Sequence, residues 1–224
     1  DRRIFRRGTG MSTDILVVGI GGQGVMTAAE TLARAALAAG LEATKTEVAG
    51  MSQRGGVVCS QVRIGEHIEA TEVPPGQAKL LLAFESAEGL RWSHYLATSG
   101  RAFVDSWRAV PPVVSSGHFN YPKDPAADMR DAGVNVVELD ARSVAARLGD
   151  VRLANSVMLG AAAASLPFGR EFLRTEVLRR FGKSAALAES NARAFDAGRE
   201  LAACGPIPAR DRPMFRKTGA LDIP

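Results

Sequence analysis

Two glycine-bearing runs hold the residues best suited to chemistry. GIGGQG, residues 19–24, sets Gly19, Gly21 and Gly24 in a G-x-G-x-x-G spacing. EVAGMSQRGG, residues 47–56, sets Arg54 before Gly55 and Gly56, with Met51, Ser52 and Gln53 just upstream. Arg54 offers a planar fork of donors suited to a carboxylate or phosphate. The glycines beside it let a ligand or another backbone come close, and Ser52 and Gln53 add polar contacts. An Arg salt-bridged within the fold is the plain alternative, with Glu47 as its partner. In the first run, Gly21, Gly22 and Gly24 open a helix whose free N–H groups can meet an anion. Gln23 stands where a small apolar residue is usual and has an amide able to hydrogen-bond a ligand.

The dinucleotide reading of the first run asks for an acid at the end of the second strand. Glu42 comes too early for that role, and Glu47 is followed by the unusual loop, so a nicotinamide cofactor is not the favoured ligand. No Walker-type phosphate loop, G-x-S-x-G elbow or H-E-x-x-H motif is present. His67, His94 and His118 are scattered: His94 reads as packing beside Trp92 and Tyr95, and His67 as a bland hairpin residue. Asp105 ends a strand within reach of a ligand. Asn155 and Ser156 interrupt an apolar helix, where a buried Asn must be hydrogen-bonded, either to a backbone loop or toward a ligand or partner. A nucleophile, a base and an acid in one cluster are missing.

The elements that must position these groups follow from periodicity. DILVVGI (14–20) is a short apolar strand and TAAETLARAALAAG (27–40) a helix closed by Gly40. LEATKTEV (41–48) is a second strand, so the quoted loop sits beside the C-terminal end of a parallel strand, a usual place for a ligand. VVCSQVRIG (57–65) and HIEATEV (67–73) read as a hairpin, which makes the sheet mixed. Strands are expected at 78–85, 101–106 and 134–141. Helices are expected at 86–100, N-capped by Ser86 with Gly89 a flaw in its first turn, and at 143–149. Residues 107–133 are irregular, with a short helix near 126–132. From about 152 onward the chain is helical: 152–166, nearly apolar and rich in small residues; 169–182, with Phe172, Val177, Leu178 and Phe181 on one face; and 186–203. The expected fold is α/β, a Rossmann-like three-layer domain with a mixed sheet and a helical C-terminal part. It forms a single domain over 11–204. Met11 is read as a natural start, with 1–10 and 205–224 as basic tails.

Composition narrows the classes. The 224 residues are 46% hydrophobic and 23% charged, values of an ordinary globular chain. The formal charge of +4 resides partly in the tails, and 6% aromatic content with no basic stripe argues against nucleic acid. Cys59 and Cys204 are the two cysteines; they match neither a zinc nor an iron–sulfur spacing and suit a reducing, cytoplasmic setting. No run is long enough for a membrane span, and the first residues lack a signal h-region.

GIGGQGV, EVAGMSQRGG and LLLAFESAEGLR together resemble the gamma-type domain of the 2-oxoacid:ferredoxin oxidoreductases, nearest to the beta subunits of the indolepyruvate type. The resemblance runs from about Ile15 to Asn155. It implies a subunit of a thiamine diphosphate-dependent enzyme that decarboxylates a 2-oxoacid, such as an aryl pyruvate, to the acyl-CoA and passes electrons to ferredoxin. It implies a large partner carrying thiamine diphosphate with Mg2+ and [4Fe-4S] clusters, with CoA as co-substrate and no cofactor or metal held by this chain alone. In agreement, the chain lacks both the GDG-type thiamine motif and cluster-type cysteines. The family's signature falls on Gly19, Gly21, Gly22, Gln23, Gly24, Glu47, Gly50, Met51, Ser52, Gln53, Arg54, Gly55 and Gly56, making these, with Asn155, the expected ligand- or partner-facing residues. Arg54 is the one residue with a possible catalytic part. The chain is expected to be inactive alone. A stand-alone NAD(P)-binding dehydrogenase and a purely scaffolding subunit are the alternatives.

Overall fold

The computed structural model describes residues 12–49, 56–109 and 121–203. The expectations for Met51, Ser52, Gln53, Arg54, Gly55, His118, Cys204 and both tails lie outside them. The chain runs β1 (Thr13–Ile20), α1 (Val25–Ala38), β2 (Glu42–Ala49), β3 (Val57–Gly65), β4 (Ala78–Ala83), α2 (Ser86–Trp92), β5 (Leu96–Asp105), α3 (Pro125–Asp131), β6 (Asn135–Leu139), α4 (Ala141–Arg147), α5 (Ala154–Ala162), α6 (Arg170–Arg179) and α7 (Ala185–Ala203).

The strands form one sheet in the order β2-β3-β1-β4-β5-β6. β1, β4, β5 and β6 are parallel, whereas β3 runs antiparallel to both β1 and β2. β1 is covered on both faces, which accounts for its unbroken apolar run. Ile15 and Val17 enter the core shared with α1 and α4 to α7, while Leu16 and Val18 enter the core that takes Met129 of α3 and packs Leu90 and Trp92 of α2. The result is a three-layer domain with a mixed sheet and a helical C-terminal part.

The mixed sheet arises from a different hairpin than the sequence suggests. β3 pairs with β2, not with residues 67–73, which form no strand. The Val73 amide instead donates to the Gln61 side chain at 2.6 Å. The EVAGMSQRGG loop therefore joins two antiparallel strands. Its first strand still points the same way as β1, so the loop springs from the edge of the sheet that bears the glycine turn. The expected helix over 86–100 also stops early. α2 gives way to a 3-10 turn at Ser93–Tyr95, and β5 already starts at Leu96. Its N-cap is Glu85, not Ser86: the Glu85 carboxylate accepts from the Glu88 amide at 2.8 Å. Gly89 is no flaw, because a Cβ there would stand 3.0 Å from the Cβ of Ala83 on the sheet beneath.

Gly40 has φ +82. It ends α1 with bonds from its own amide to the Leu37 carbonyl and from Leu41 to Ala36, each at 3.0 Å, the paired closure that glycine favours. On α6 the buried residues are Leu173 and Val177, while Phe172 is exposed, so the expected apolar face is rotated by one residue at its start. α5 and α7 touch through their backbones: a Cβ on Gly160 would lie 1.9 Å from the Phe195 carbonyl, and one on Gly198 1.9 Å from that of Val157. The small residues of α5 permit this approach. The Ser156 hydroxyl donates to the Asn191 side chain across the same contact at 2.6 Å.

Candidate functional site

The order of strands reverses at β1, since the chain first builds to one side of it (β3, β2) and then to the other (β4, β5, β6). In α/β sheets the crevice at that reversal, beyond the C-terminal strand ends, is the usual ligand site. Here it holds a cleft of about 500 Å³. Its floor is the glycine turn, and its far wall comes from the helices after β6.

The turn is built around Gln23. Its Oε1 accepts from the Ile20 amide at 2.6 Å and its Nε2 donates to the Phe84 carbonyl at 2.6 Å. The side chain thus ties the end of β1 to the end of β4. A Cβ on Gly19 would fall 2.6 Å from that same Oε1, so the first glycine of the motif makes room for the glutamine. Gly22 and Gly24 have φ of 100° and 82°, a region that L side chains rarely adopt. The Gly21 amide donates to the Gly56 carbonyl at 2.9 Å, which ties the two glycine-bearing runs together. The ligand-binding amide expected of Gln23 is already engaged in bracing.

Asn155 reaches the turn from the opposite wall. Its Nδ2 donates to the Gly24 carbonyl at 2.9 Å. Of the two roles open to it, the backbone cap is the one observed, and the residue also lines the cleft. Asp105, at the end of β5, lines it too. Its Oδ1 accepts from the amides of Trp107 at 3.3 Å and Ala141 at 3.2 Å. Burial pushes its carboxyl up to about 7, with Asp140 adding to the effect against these amides.

Other expected residues lie elsewhere. Glu47 is ion-paired with Lys45 at 2.8 Å, and Lys45 also meets Glu30 at 3.2 Å; the suggested Glu47–Arg54 pair involves a residue outside the described ones. Neither Glu47 nor Glu42 lines the cleft. The His67 ring stands 3.4 Å from Glu42, and His94 packs with its ring centroid 4.7 Å from that of Tyr95, as expected of bland surface residues. Cys59 is buried, and burial pushes its thiol up to about 12. Among the described residues no group of three or more His, Cys, Asp or Glu side chains could hold a metal ion, and no helix is long and apolar enough to cross a membrane.

Sequence reasoning missed Arg142 and Arg180, both on the cleft lining. Arg142 follows β6 as Asp105 ends β5, so strand-end position was the available signal. Its guanidinium lies over the Trp107 ring, 4.7 Å from the centroid. Arg180 sits in the run LRRFG, where nothing local separates a cleft residue from a solvated one.

Fold and cleft define an α/β domain with a crevice site but without an assembled catalytic group among the described residues. The family described as pyruvate ferredoxin/flavodoxin oxidoreductase matches residues 14–201, and the chain belongs to it. It is 36% identical to the indolepyruvate oxidoreductase subunit IorB of Archaeoglobus fulgidus, over 78% of this chain and 88% of that one. It is 37% identical to the IorB subunit of Thermococcus kodakarensis, over 83% of this chain and 93% of that one. Among solved structures, the gamma subunit of a keto/oxoacid ferredoxin oxidoreductase from Geobacter sulfurreducens superposes with a TM-score of 0.64 at 26% identity, covering 86% of this chain and 99% of that chain. A 2-oxoglutarate:ferredoxin oxidoreductase from Magnetococcus marinus shares the fold, with a TM-score of 0.69 at 22% identity, this chain matching 31% of that larger one and 87% of itself.

Proposed function

We propose that this chain is the small subunit of an indolepyruvate-type 2-oxoacid oxidoreductase working in the cytoplasm. The observation that carries the reading is the IorB identity of 37% across 93% of the Thermococcus kodakarensis subunit. The partner is a large catalytic subunit holding thiamine diphosphate with Mg2+ and [4Fe-4S] clusters. The reaction is the oxidative decarboxylation of an aryl pyruvate to its acyl-CoA, with electrons passing to ferredoxin. Thiamine diphosphate, when bound on the large subunit, supplies the carbanion chemistry.

This chain's own part is to complete the site. The braced glycine turn, with Gly21, Gly22, Gln23 and Gly24, forms a rigid ledge at the sheet edge. The 47–56 run, with Met51, Ser52, Gln53, Arg54 and Gly55, springs from the same edge. Arg54 meets an anion there, on a ligand or on the neighbouring subunit.

The test is co-purification of the tagged chain from cells that make it, with iron and thiamine analysis of what accompanies it. The expected result is a large protein with both, and aryl pyruvate-dependent reduction of ferredoxin by the pair only. Full activity from the chain alone would overturn the reading. In the pair, Arg54→Ala is expected to lower turnover with assembly intact if the anion is on a ligand, and to loosen assembly if it is on the partner.

A further inference from the structure

The sheet ends on one side at β2, and that edge is open. Proteins blunt an edge strand by keeping it short, bulging it, giving it a proline or covering it. β2 is eight residues long and has no proline. Its register with β3 is unbroken, from Glu42 opposite Gly65 to Ala49 opposite Val58. Residues 66–73 pass nearby but meet side chains on one face of the sheet. The Ile68 amide donates to Glu42 at 2.8 Å, the Thr46 hydroxyl to the Thr71 carbonyl at 3.4 Å, and Arg63 to the carbonyls of Ala70 at 3.1 Å and Glu72 at 3.2 Å. Among the described residues, no backbone group outside β3 is hydrogen-bonded to the backbone of β2. Val48, near the end of the strand, is 49% exposed.

The charges on β2 say what fits against it. Lys45 and Glu47 stand on the face that meets α1, 2.8 Å apart, with Lys45 also 3.2 Å from Glu30 of that helix. Opposite charges directly across two strands stabilise a pairing, and like charges oppose it. Where an edge strand meets a second copy of itself about a twofold axis, the residue on the axis faces itself and its neighbours pair symmetrically. An axis at Lys45 sets lysine on lysine, and one at Glu47 sets glutamate on glutamate. An axis at Thr44 or Val48 leaves both charges without a charged opposite. An axis at Thr46 sets Lys45 of each copy opposite Glu47 of the other, and Thr44 opposite Val48. We propose that β2 pairs antiparallel with β2 of a second copy of this chain about a twofold axis at Thr46, so that the two six-stranded sheets become one. The pairing gives both edges backbone partners, joins two lysines and two glutamates in one alternating cluster, and sets Thr44 against the exposed Val48. It is isologous, so it closes and does not propagate. An edge pairing is a small contact by itself. It therefore serves within the complex of the subunit assignment, from which it borrows only the material for the test, and that complex then holds two small subunits.

The experiment uses the co-purified complex. Native mass spectrometry is expected to find two copies of the chain in it. With Thr46→Cys in a Cys204→Ser background, mild oxidation is expected to join two copies by a disulfide, because directly opposite residues bring their Cβ atoms to about 4.5–5.5 Å. Thr44→Cys, which faces Val48 and not itself, is expected to join none. Lys45→Glu sets glutamate opposite Glu47 and is expected to weaken the association of the two copies about tenfold or more. Adding Glu47→Lys to it makes the opposite charges again and is expected to restore the association. One copy per complex, no disulfide with Thr46→Cys, or no recovery in the double variant would each overturn the proposal. Linkage of Thr46→Cys to the large subunit would also overturn it, since the edge would then belong to that chain. If the inference fails while aryl pyruvate oxidation persists, the subunit assignment stands; if Thr46→Cys joins two copies but no thiamine protein accompanies them, the assignment fails and the pairing remains.

Discussion

The Asn155 side chain donates to the Gly24 carbonyl at 2.9 Å, joining the start of α5 to the start of α1. The same carbonyl accepts from the Ala28 amide at 2.9 Å. A Cβ on Gly24 would stand 2.8 Å from the Asn155 Nδ2. Asn155 therefore fixes both the position of the turn and the absence of a side chain on it. Asn155→Ala is expected to cost about 1 kcal/mol, lowering Tm by roughly 2–4 °C. Thermal unfolding of the variant checks this, and an unchanged Tm would remove Asn155 from the scaffold of the site.

Gln23 carries the brace between β1 and β4. Gln23→Glu keeps the acceptor for the Ile20 amide but turns a carboxylate toward the Phe84 carbonyl, where an N–H had donated at 2.6 Å. The expected loss is about 2 kcal/mol or more. It should shrink at low pH, where the carboxyl is protonated and can donate again. Urea unfolding at pH 4.5 and pH 8 is the measurement; an equal loss at both would show that the amide does not make this bond in solution.

Asp105 sets a pH dependence whose sign follows from its burial. The ordinary value is 3.8 and the folded one about 7, so the folded protein holds a proton that the unfolded chain has released. Asp105 therefore costs nothing below about 3.8, costs more as pH rises, and reaches its full cost above about 7. Asp105→Asn keeps an acceptor for the amides of Trp107 and Ala141 but cannot ionise. It is expected to flatten the profile, gaining about 1–3 kcal/mol relative to the native protein between pH 5 and pH 8. Denaturant midpoints across that range test it, and parallel profiles would show that Asp105 is ionised throughout.

The glycine positions separate two causes of strain. Gly40→Ala meets no atom within 4 Å and pays only for φ +82, about 1 kcal/mol. Gly160→Ala puts a Cβ 1.9 Å from the Phe195 carbonyl, so α5 and α7 must part, at about 3 kcal/mol or more. A chemical-denaturation ranking with Gly40→Ala the worse would contradict the close helix contact.

Periodicity made most elements legible, because a strand covered on both faces and a helix with one buried face each leave a local mark. β1, α1, β3 and α7 are of this kind. Pairing left no such mark. Val57–Gly65 alternates well enough to be a strand, yet nothing in it distinguishes a partner at 42–49 from one at 67–73. Leu96–Gly100 reads as the tail of a helix because its pairing with β4 is irregular, Ala78 meeting Leu96 and the register then shifting before Leu80 meets Arg101. At the site, Gln23, Asp105 and Asn155 were visible as polar residues in apolar or glycine-rich settings. Arg142 and Arg180 were not, since an arginine in or beside a helix looks solvated until the fold shows that it lines a cleft.

The strand β3, set between β1 and β2, has a consequence for engineering. An acid at the end of β2 stands two strand spacings from β1, about 9.6 Å, whereas the dinucleotide-binding strand order sets the ribose-gripping acid on the strand directly beside the first, one spacing away. No single substitution on β2 can therefore turn this turn-and-helix unit into a nicotinamide-dinucleotide binder. A redesign would have to exchange the order of two strands, and with it the root of the loop that carries Arg54.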